Sequence, residues 1–502
     1  MPQAEPQIPR LAACRAPGGR VRLGLSLAVL LACAPAQAQG ADGLRQQVEA
    51  VLASAPAGTR FGVLVVDETG KEIVAINADQ RFIPASNTKL FTTAAALELL
   101  GKNPAGYEAD GVTTLALVPV AGGAPDVVLT GGGAALSTAQ DCTRRCFGGL
   151  VNGIAAKARK VGNVIADDTA FTDQRWSPGM SWNNIPTDSG TAASAMIVDD
   201  NELPLVVTAA RPGEPAAVEL SSYFTLRNET QSTAEGETKL GFERAINGRE
   251  LRVFGTIRTD AAPWHDQLGI DDPADYAAWT LREALIARGV KVAGKIVVRH
   301  RAVHADESRK SARAELALAV TPAPLDEEVA LINKRSQNLH AEVLLRRLGQ
   351  AAFAGDIAPG DEGSLEAGLA AMRGVFDKAG IPRGGYDFSD GSGMSTYNRV
   401  SPRAAVALLR WGKAQGWGAV WRASLPVGGV DGTLRHRFAG TPLAGKLWAK
   451  TGTLNATNAL SGYLTATSGR ELIFSILAND VPEGSDAVPA MDAAVALIAA
   501  AN

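Results

Sequence analysis

The stretch Pro84-Ala85-Ser86-Asn87-Thr88-Lys89, running on into Leu90-Phe91-Thr92-Thr93-Ala94-Ala95-Ala96-Leu97-Glu98-Leu99-Leu100-Gly101, predicts one helix with Ser86 in its first turn. Ala and Leu are strong helix formers, and Gly101 stands where a helix C-cap belongs. Ser86 and Lys89 then share a face, since residues three apart are neighbours on a helix surface. The lysine nitrogen reaches the hydroxyl at that spacing, and the helix N-terminus favours negative charge developing there. A serine hydroxyl is a weak nucleophile until a neighbour takes its proton, which a lysine in a water-poor pocket can do. Ser-x-x-Lys is also just two common residues at one spacing, so the pair means little without partners elsewhere in the chain.

On the N-terminal side, Gly43 to Leu52 reads as a helix. The β-rich runs Arg60 to Val66 and Lys71 to Ile76, joined at Thr69-Gly70, read as a hairpin. On the C-terminal side the texture changes. From about Gly111 to Pro322 the chain is strand-rich and punctuated by Gly and Pro, as in Asp126 to Thr130, Asn163 to Ala166, Leu205 to Thr208 and Lys295 to Arg299. One amphipathic helix, Pro273 to Arg288, interrupts it. This is the pattern of an insertion with its own core, built as two modules, the second between about Glu202 and Ala262.

Helical texture returns at Leu325 to Asn333 and Leu339 to Gly349, with Ser336-Gln337-Asn338 on the turn between them. Ser and Asn two apart there project into the same space, although both are also good helix caps. Asp390-Gly391-Ser392-Gly393-Met394-Ser395 is a turn whose glycines let backbone approach something closely. Leu447-Trp448-Ala449-Lys450-Thr451-Gly452-Thr453-Leu454 begins a strand, the runs Ala459 to Ala466 and Glu471 to Ala478 form a closing hairpin, and Met491 to Ala500 is an apolar helix able to cover that sheet.

The first 40 residues are of another kind. Arg10, Arg15, Arg20 and Arg22 precede an apolar run, Leu23 to Ala34, too short to span a bilayer, and Ala36-Gln37-Ala38 follows. This pattern predicts an export signal over residues 1–38, giving a periplasmic protein. Leu30-Leu31-Ala32-Cys33 approximates a lipoprotein box, and anchoring through Cys33 is the variant reading. Loss of four Arg and one Glu with the signal takes the formal charge from −3 to −6. A mildly acidic protein argues against nucleic acid and leaves any membrane association peripheral. Cys142 and Cys146 are the cysteines left after the signal, and in an oxidising compartment they read as a short-loop disulfide; no His or second Cys pair lies near enough to suggest a metal.

Three signals thus stand in one order: Ser86-x-x-Lys89, Ser336-x-Asn338 and Lys450-Thr451-Gly452. Together they are the set used by β-lactamases and penicillin-binding proteins. Ser86 and Ser336 are 250 residues apart, whereas β-lactamases place the second element a few dozen residues on. The chain therefore resembles the class C low-molecular-mass penicillin-binding proteins, the type-4 D-alanyl-D-alanine carboxypeptidase/endopeptidase family. Ser336-Gln337-Asn338-Leu339-x-Ala341-Glu342, Asp390 to Ser395 and Gly432-Thr433-Leu434-x-x-Arg437 extend the resemblance over essentially the whole mature chain.

The resemblance implies an α+β transpeptidase-like catalytic domain, an antiparallel sheet flanked by helices, with two β-rich domains inserted between the first and second motifs. It divides the chain into the signal (1–38), the catalytic domain (39–110 and 323–502), inserted domain II (111–203 and 263–322) and inserted domain III (204–262). It implies a serine-type D-Ala-D-Ala carboxypeptidase acting on peptidoglycan stem peptides and cross-links through an acyl-enzyme, with β-lactams as covalent inhibitors and no metal or cofactor. Ser86 would be the nucleophile, Lys89 its base and Ser336 the proton donor to the leaving amine. Asn338 would hold the substrate amide, Lys450, Thr451, Gly452 and Thr453 the terminal carboxylate and the oxyanion.

Two positions depart from the family pattern. Where family members that recognise meso-diaminopimelate place an acidic residue after Trp-Asn, this chain has Asn184; where they tend to place Arg after the Gly-Met-Ser turn, it has Thr396. Neither residue can make the ion pairs that would grip an amino acid end. Either other residues supply the charge or specificity for that free end is relaxed. The other classes left open are a β-lactamase or esterase of the same fold and a non-catalytic cell-wall binding protein.

Overall fold

The computed structural model describes residues 36–302, 316–353 and 364–502. The export signal and Cys33 fall outside them, apart from residues 36–38. The organising element is a five-stranded antiparallel sheet that joins the two ends of the chain. Arg60–Asp67 pairs on one side with Glu72–Ile76, completing the first hairpin, and on the other with Glu471–Asn479. Glu471–Asn479 pairs with Thr457–Thr465, which pairs with the edge strand Leu447–Leu454.

Side chains along a strand alternate faces, and this sheet is apolar on both. Val63 and Val65 pack with the helices Ala36–Leu52 and Val488–Ala501, through Val48, Val495 and Ile498. Leu64 and Val66 pack on the opposite face against Leu90, Phe91 and Ala94 of the helix Thr88–Leu99 and Leu408 and Leu409 of Pro402–Lys413. Burial on both faces explains why Arg60–Asp67 reads as a near-continuous hydrophobic run. The helix Thr88–Leu99 is consequently enclosed by the sheet on one side and by Asn338–Ala352 and Ser364–Lys378 on the other.

The described residues between 113 and 320 form a second body. A five-stranded mixed sheet takes Ile296–Arg301, Val164–Thr172, Asp126–Thr130, Thr113–Val118 and Leu316–Val320 in that order. Two three-stranded sheets lie between residues 202 and 269, and buried residues from all three sheets share one cluster with the helix Pro273–Ala287, while Ala170 and Phe171 of Val164–Thr172 pack separately with Leu339 and Val343. Asp272 caps that helix on the Asp275 amide, with Pro273 in its first turn. A second helix, Phe147–Lys157, accompanies it, contrary to the expectation of one. The segment carries Gly148, Gly149 and Gly153, a residue type that weakens helix propensity. The glycine at 153 is used for packing, since a Cβ there would overlap the Leu318 side chain. Cys142 and Cys146 are joined as a disulfide, with their Cα atoms 5.6 Å apart.

Candidate active site

Ser86 does not sit in the first α-helical turn. Ala85–Asn87 forms a 3-10 turn, and the α-helix starts at Thr88 and ends at Leu99, followed by another 3-10 turn at Leu100–Lys102. Ala85 has φ +46°, a conformation that costs a residue with a Cβ and is held by its surroundings. Two glycines make those surroundings possible. A Cβ on Gly452 would lie 2.7 Å from the Pro84 carbonyl oxygen and 3.1 Å from the Ser86 nitrogen, and one on Gly393 would overlap the Ala85 carbonyl oxygen. The strand Leu447–Leu454 and the 390–395 turn can therefore close on the serine from two sides. Asn87 adds a tie, donating from Nδ2 to the Lys450 carbonyl at 3.0 Å.

Lys89 is fully buried. Its Nζ lies 2.9 Å from Ser86 Oγ, 2.6 Å from Asn338 Oδ1 and 2.6 Å from the Ser392 carbonyl oxygen. Burial lowers its pKa to about 7, opposed by the charges of Asp390 and then Glu342. Lys450 is also fully buried; its Nζ donates to Ser336 Oγ at 2.9 Å and to the Thr451 carbonyl at 3.0 Å. Burial and then the nearby Lys89 charge push Lys450 well below its ordinary value. Thr451 Oγ1 is 2.7 Å from Thr433 Oγ1, and Thr453 is exposed at the end of the edge strand. Residues from three distant segments thus meet in one cleft.

Ser336 caps the helix Leu325–Arg335 in a left-handed conformation, φ +61°. Its turn is braced by the inserted segment 189–202. Asn338 Nδ2 donates to the Ser189 carbonyl at 3.1 Å, Gln337 Nε2 donates to Glu202 Oε1 at 2.9 Å, and His340 lies between Asp200 and Glu328. Asp199, Asp200 and Asn201 all have positive φ, so a strained inserted turn abuts a strained catalytic one. Burial alone would lower the His340 pKa, yet the Glu328 and Asp200 carboxylates hold it up at about 10.

A histidine raised in this way adds stability that is fully present below its unfolded pKa and fades as pH rises through about 10. His340→Gln, which leaves two half-buried carboxylates facing each other, should cost about 3 kcal/mol near neutrality. In urea unfolding, the difference from the unsubstituted protein should shrink steadily toward pH 10; a difference independent of pH would contradict the charged triad.

Asn184 ends the 3-10 turn Trp182–Asn184, and its carbonyl accepts from Thr187. Thr396 donates from both its backbone N and its hydroxyl to the Gly179 carbonyl, at 2.9 and 3.0 Å. Met180 bridges to Ser395, so both positions belong to adjoining segments at the contact between insertion and catalytic body. The Thr396 hydroxyl is spent on that contact.

Sequence reasoning missed several participants. Ser392 takes part through its backbone carbonyl, which leaves no mark in a sequence. Thr433, Glu342 and Asp390 lay inside runs already singled out but carried no role there. The Asp200–His340 contact spans 140 residues and has no local signal.

Known proteins resemble this chain in sequence and in fold. The profile of the D-Ala-D-Ala carboxypeptidase 3 (S13) family matches residues 44–501. A D-alanyl-D-alanine carboxypeptidase from Actinomadura sp. (strain R39) is 33% identical over 472 residues, 90% of this chain and 84% of the relative. Carboxypeptidase DacB of Mycolicibacterium smegmatis is 26% identical over 468 residues, 90% of this chain and 83% of the relative. Among solved structures, penicillin binding protein 4 (dacB) from Haemophilus influenzae superposes with a TM-score of 0.74 at 21% identity, covering 90% of this chain and 97% of the other. That fold is the α+β arrangement of sheet and helices described above. The chain belongs to the D-Ala-D-Ala carboxypeptidase 3 (S13) family.

Proposed function

We propose that the protein is a serine-type D-Ala-D-Ala carboxypeptidase and endopeptidase that works on peptidoglycan stem peptides through an acyl-enzyme. The observation that carries this is the pair of contacts Ser86 Oγ to Lys89 Nζ and Ser336 Oγ to Lys450 Nζ, both at 2.9 Å, contributed by three segments of the chain.

Ser86 Oγ attacks the carbonyl carbon of the D-Ala-D-Ala bond as its proton passes to neutral Lys89 Nζ. A lysine with a pKa of about 7 is free base in a large fraction of molecules near neutrality. The Ser86 and Thr453 N–H groups receive the developing oxyanion. Ser336 passes its hydroxyl proton to the leaving D-alanine amine and takes another from Lys450 Nζ, to which it is hydrogen-bonded; water then cleaves the acyl-enzyme, Lys89 returning its proton to Ser86 Oγ while a proton of the water passes back through Ser336 to Lys450. The terminal carboxylate of the substrate lies against Lys450, Thr451 and Thr453. Its arrival opposes what burial and Lys89 do to Lys450 and so favours the ammonium form. Asn338 Nδ2 keeps one hydrogen beyond its bond to Ser189, which is available to a substrate carbonyl.

A β-lactam offers the same carbonyl in a ring that cannot diffuse away, so acylation would persist. A β-lactam complex is known for the Haemophilus influenzae penicillin binding protein 4. The division between a catalytic domain at 39–110 and 323–502 and an inserted part is supported by the separate sheets; within the insertion, the split into 111–203 with 263–322 and 204–262 is crossed by the sheet that pairs Glu202–Thr208 with Trp264–Gly269. Export to the periplasm rests on the basic start and Ala36-Gln37-Ala38. No helix among the described residues is long and apolar enough to cross a membrane.

The test is release of D-alanine from an acylated D-alanyl-D-alanine peptide. Purified protein should release it and Ser86→Ala should lose at least about 10³-fold in rate. Equal release by both proteins would overturn the assignment.

A further inference from the structure

Lys89 has three polar neighbours, and two of them, Ser392 O and Asn338 Oδ1, can only accept. A neutral amine has two hydrogens and one lone pair. With its hydrogens on those two oxygens, the lone pair is left for the Ser86 hydroxyl. The direction of the base therefore depends on where the Ser392 carbonyl is held.

Two carboxylates hold it. Glu342 Oε1 accepts from the Gly391 N–H at 3.0 Å and the Ser392 N–H at 2.9 Å. Asp390, 1% exposed, accepts from the Gly393 N–H at 2.9 Å and the Ser395 N–H at 2.6 Å, and from Asn398 Nδ2. Asn398 also donates to Thr88 Oγ1 at 3.2 Å, and Thr92 Oγ1 donates to the Gly391 carbonyl at 2.7 Å, which ties the turn to the serine helix. Glu342 lies one helical turn beyond Asn338, so a single helix supplies one acceptor of Lys89 directly and fixes the other. Arg346, itself buried, pairs with Glu342 at 3.0 Å, whereas Asp390 has polar amides and a hydroxyl around it.

We infer that Glu342 and Asp390 are positioning residues for the reaction: they fold the 390–395 turn so that the Ser392 carbonyl aims the Lys89 lone pair at Ser86, and their charge sets the field at that amine. The inference rests on the reading of Lys89 as the base. The charged groups that face Lys89 are Asp390 on the turn, Glu342 on Asn338–Ala352 and Lys450 on the edge strand, with Arg346 behind Glu342. Both carboxylates raise the affinity of Lys89 for its proton against the effect of burial. Burial and then Glu342 push Asp390 up to about 6, so its charge is still present at neutral pH.

Removing either charge makes Lys89 a weaker base that is neutral at lower pH. The experiment is the second-order rate of labelling by a fluorescent penicillin, followed from about pH 5 to about pH 9, in full-length Glu342→Gln and Asp390→Asn. Either variant should label roughly tenfold more slowly at its optimum, with the acid limb of the profile moved down by about one pH unit. A merely structural role would slow labelling without moving the limb. Should Glu342→Gln not fold, Asp390→Asn gives the same reading, since its amide oxygen still accepts from the Gly393 N–H. A folded variant with an unshifted limb, with no labelling or with the unsubstituted rate overturns the inference. Failure of the proposed reaction would show separately, as no labelling of the unsubstituted protein.

Discussion

Replacing Lys89 by methionine is expected to slow acylation by roughly 10³-fold while leaving a folded protein. Methionine fills about the same volume but offers no basic lone pair to the Ser86 hydroxyl 2.9 Å away. Stability should move little, because two opposing effects meet. Burying an amine is costly, and its removal relieves that cost; the Ser392 carbonyl and Asn338 Oδ1 then lose their donor, at about 1–3 kcal/mol each at most. The separation of activity from stability is the informative part. Rapid-quench labelling with a penicillin and a urea melt on the same preparation check it, and a labelling rate within tenfold of the unsubstituted protein would remove Lys89 from the role of base.

The second large effect is expected at Gly393. Its φ of +95° is one that L side chains rarely adopt, and a Cβ would overlap the Ala85 carbonyl oxygen, which is backbone and cannot swing aside. Ala85 is already in a left-handed conformation one residue before the nucleophile. Gly393→Ala therefore has to push the 390–395 turn and the Ser86 turn apart, moving the Ser392 carbonyl off Lys89 as it does so. A loss of about 3 kcal/mol or more in stability should accompany a fall in labelling of roughly 10²-fold. Gly122→Ala is a useful control, since that glycine also has positive φ but open space around its Cβ direction. If the two substitutions behave alike, the close approach at the serine is not what Gly393 is for.

Much of this molecule is legible in its residues because the catalytic body obeys local rules. The β-rich run Arg60 to Val66, the Thr69-Gly70 turn and the Ala-rich run after Thr88 each specify their element without help from the rest of the chain. The three motifs stand where a helix start, an interhelical turn and a strand start are expected. The 3-10 start at Ser86 was not legible, because it is imposed by Gly393 and Gly452 closing from segments more than 300 residues away. The helix Phe147–Lys157 was hidden by its three glycines, of which Gly153 makes room for the Leu318 side chain. The same limit applies to the bracing of Ser336. Asp200 and Glu202 are ordinary surface-type residues until the fold sets them against His340 and Gln337. Local chemistry names the reacting groups, and tertiary contacts decide how they are aimed.

That division suggests what the insertion does for the site. Ser189, Asp200 and Glu202 reach the turn bearing Ser336 and Asn338, and Gly179 meets Thr396. The inserted body is thus a wall of the catalytic cleft as well as a neighbour to it.

The central claim is that Ser86 is the atom acylated. Mass mapping of tryptic peptides after brief exposure to benzylpenicillin tests it directly. The account predicts the added mass on the peptide Phe82 to Lys89, whose serine is Ser86. An adduct on any other peptide, with Phe82 to Lys89 unmodified, would contradict it.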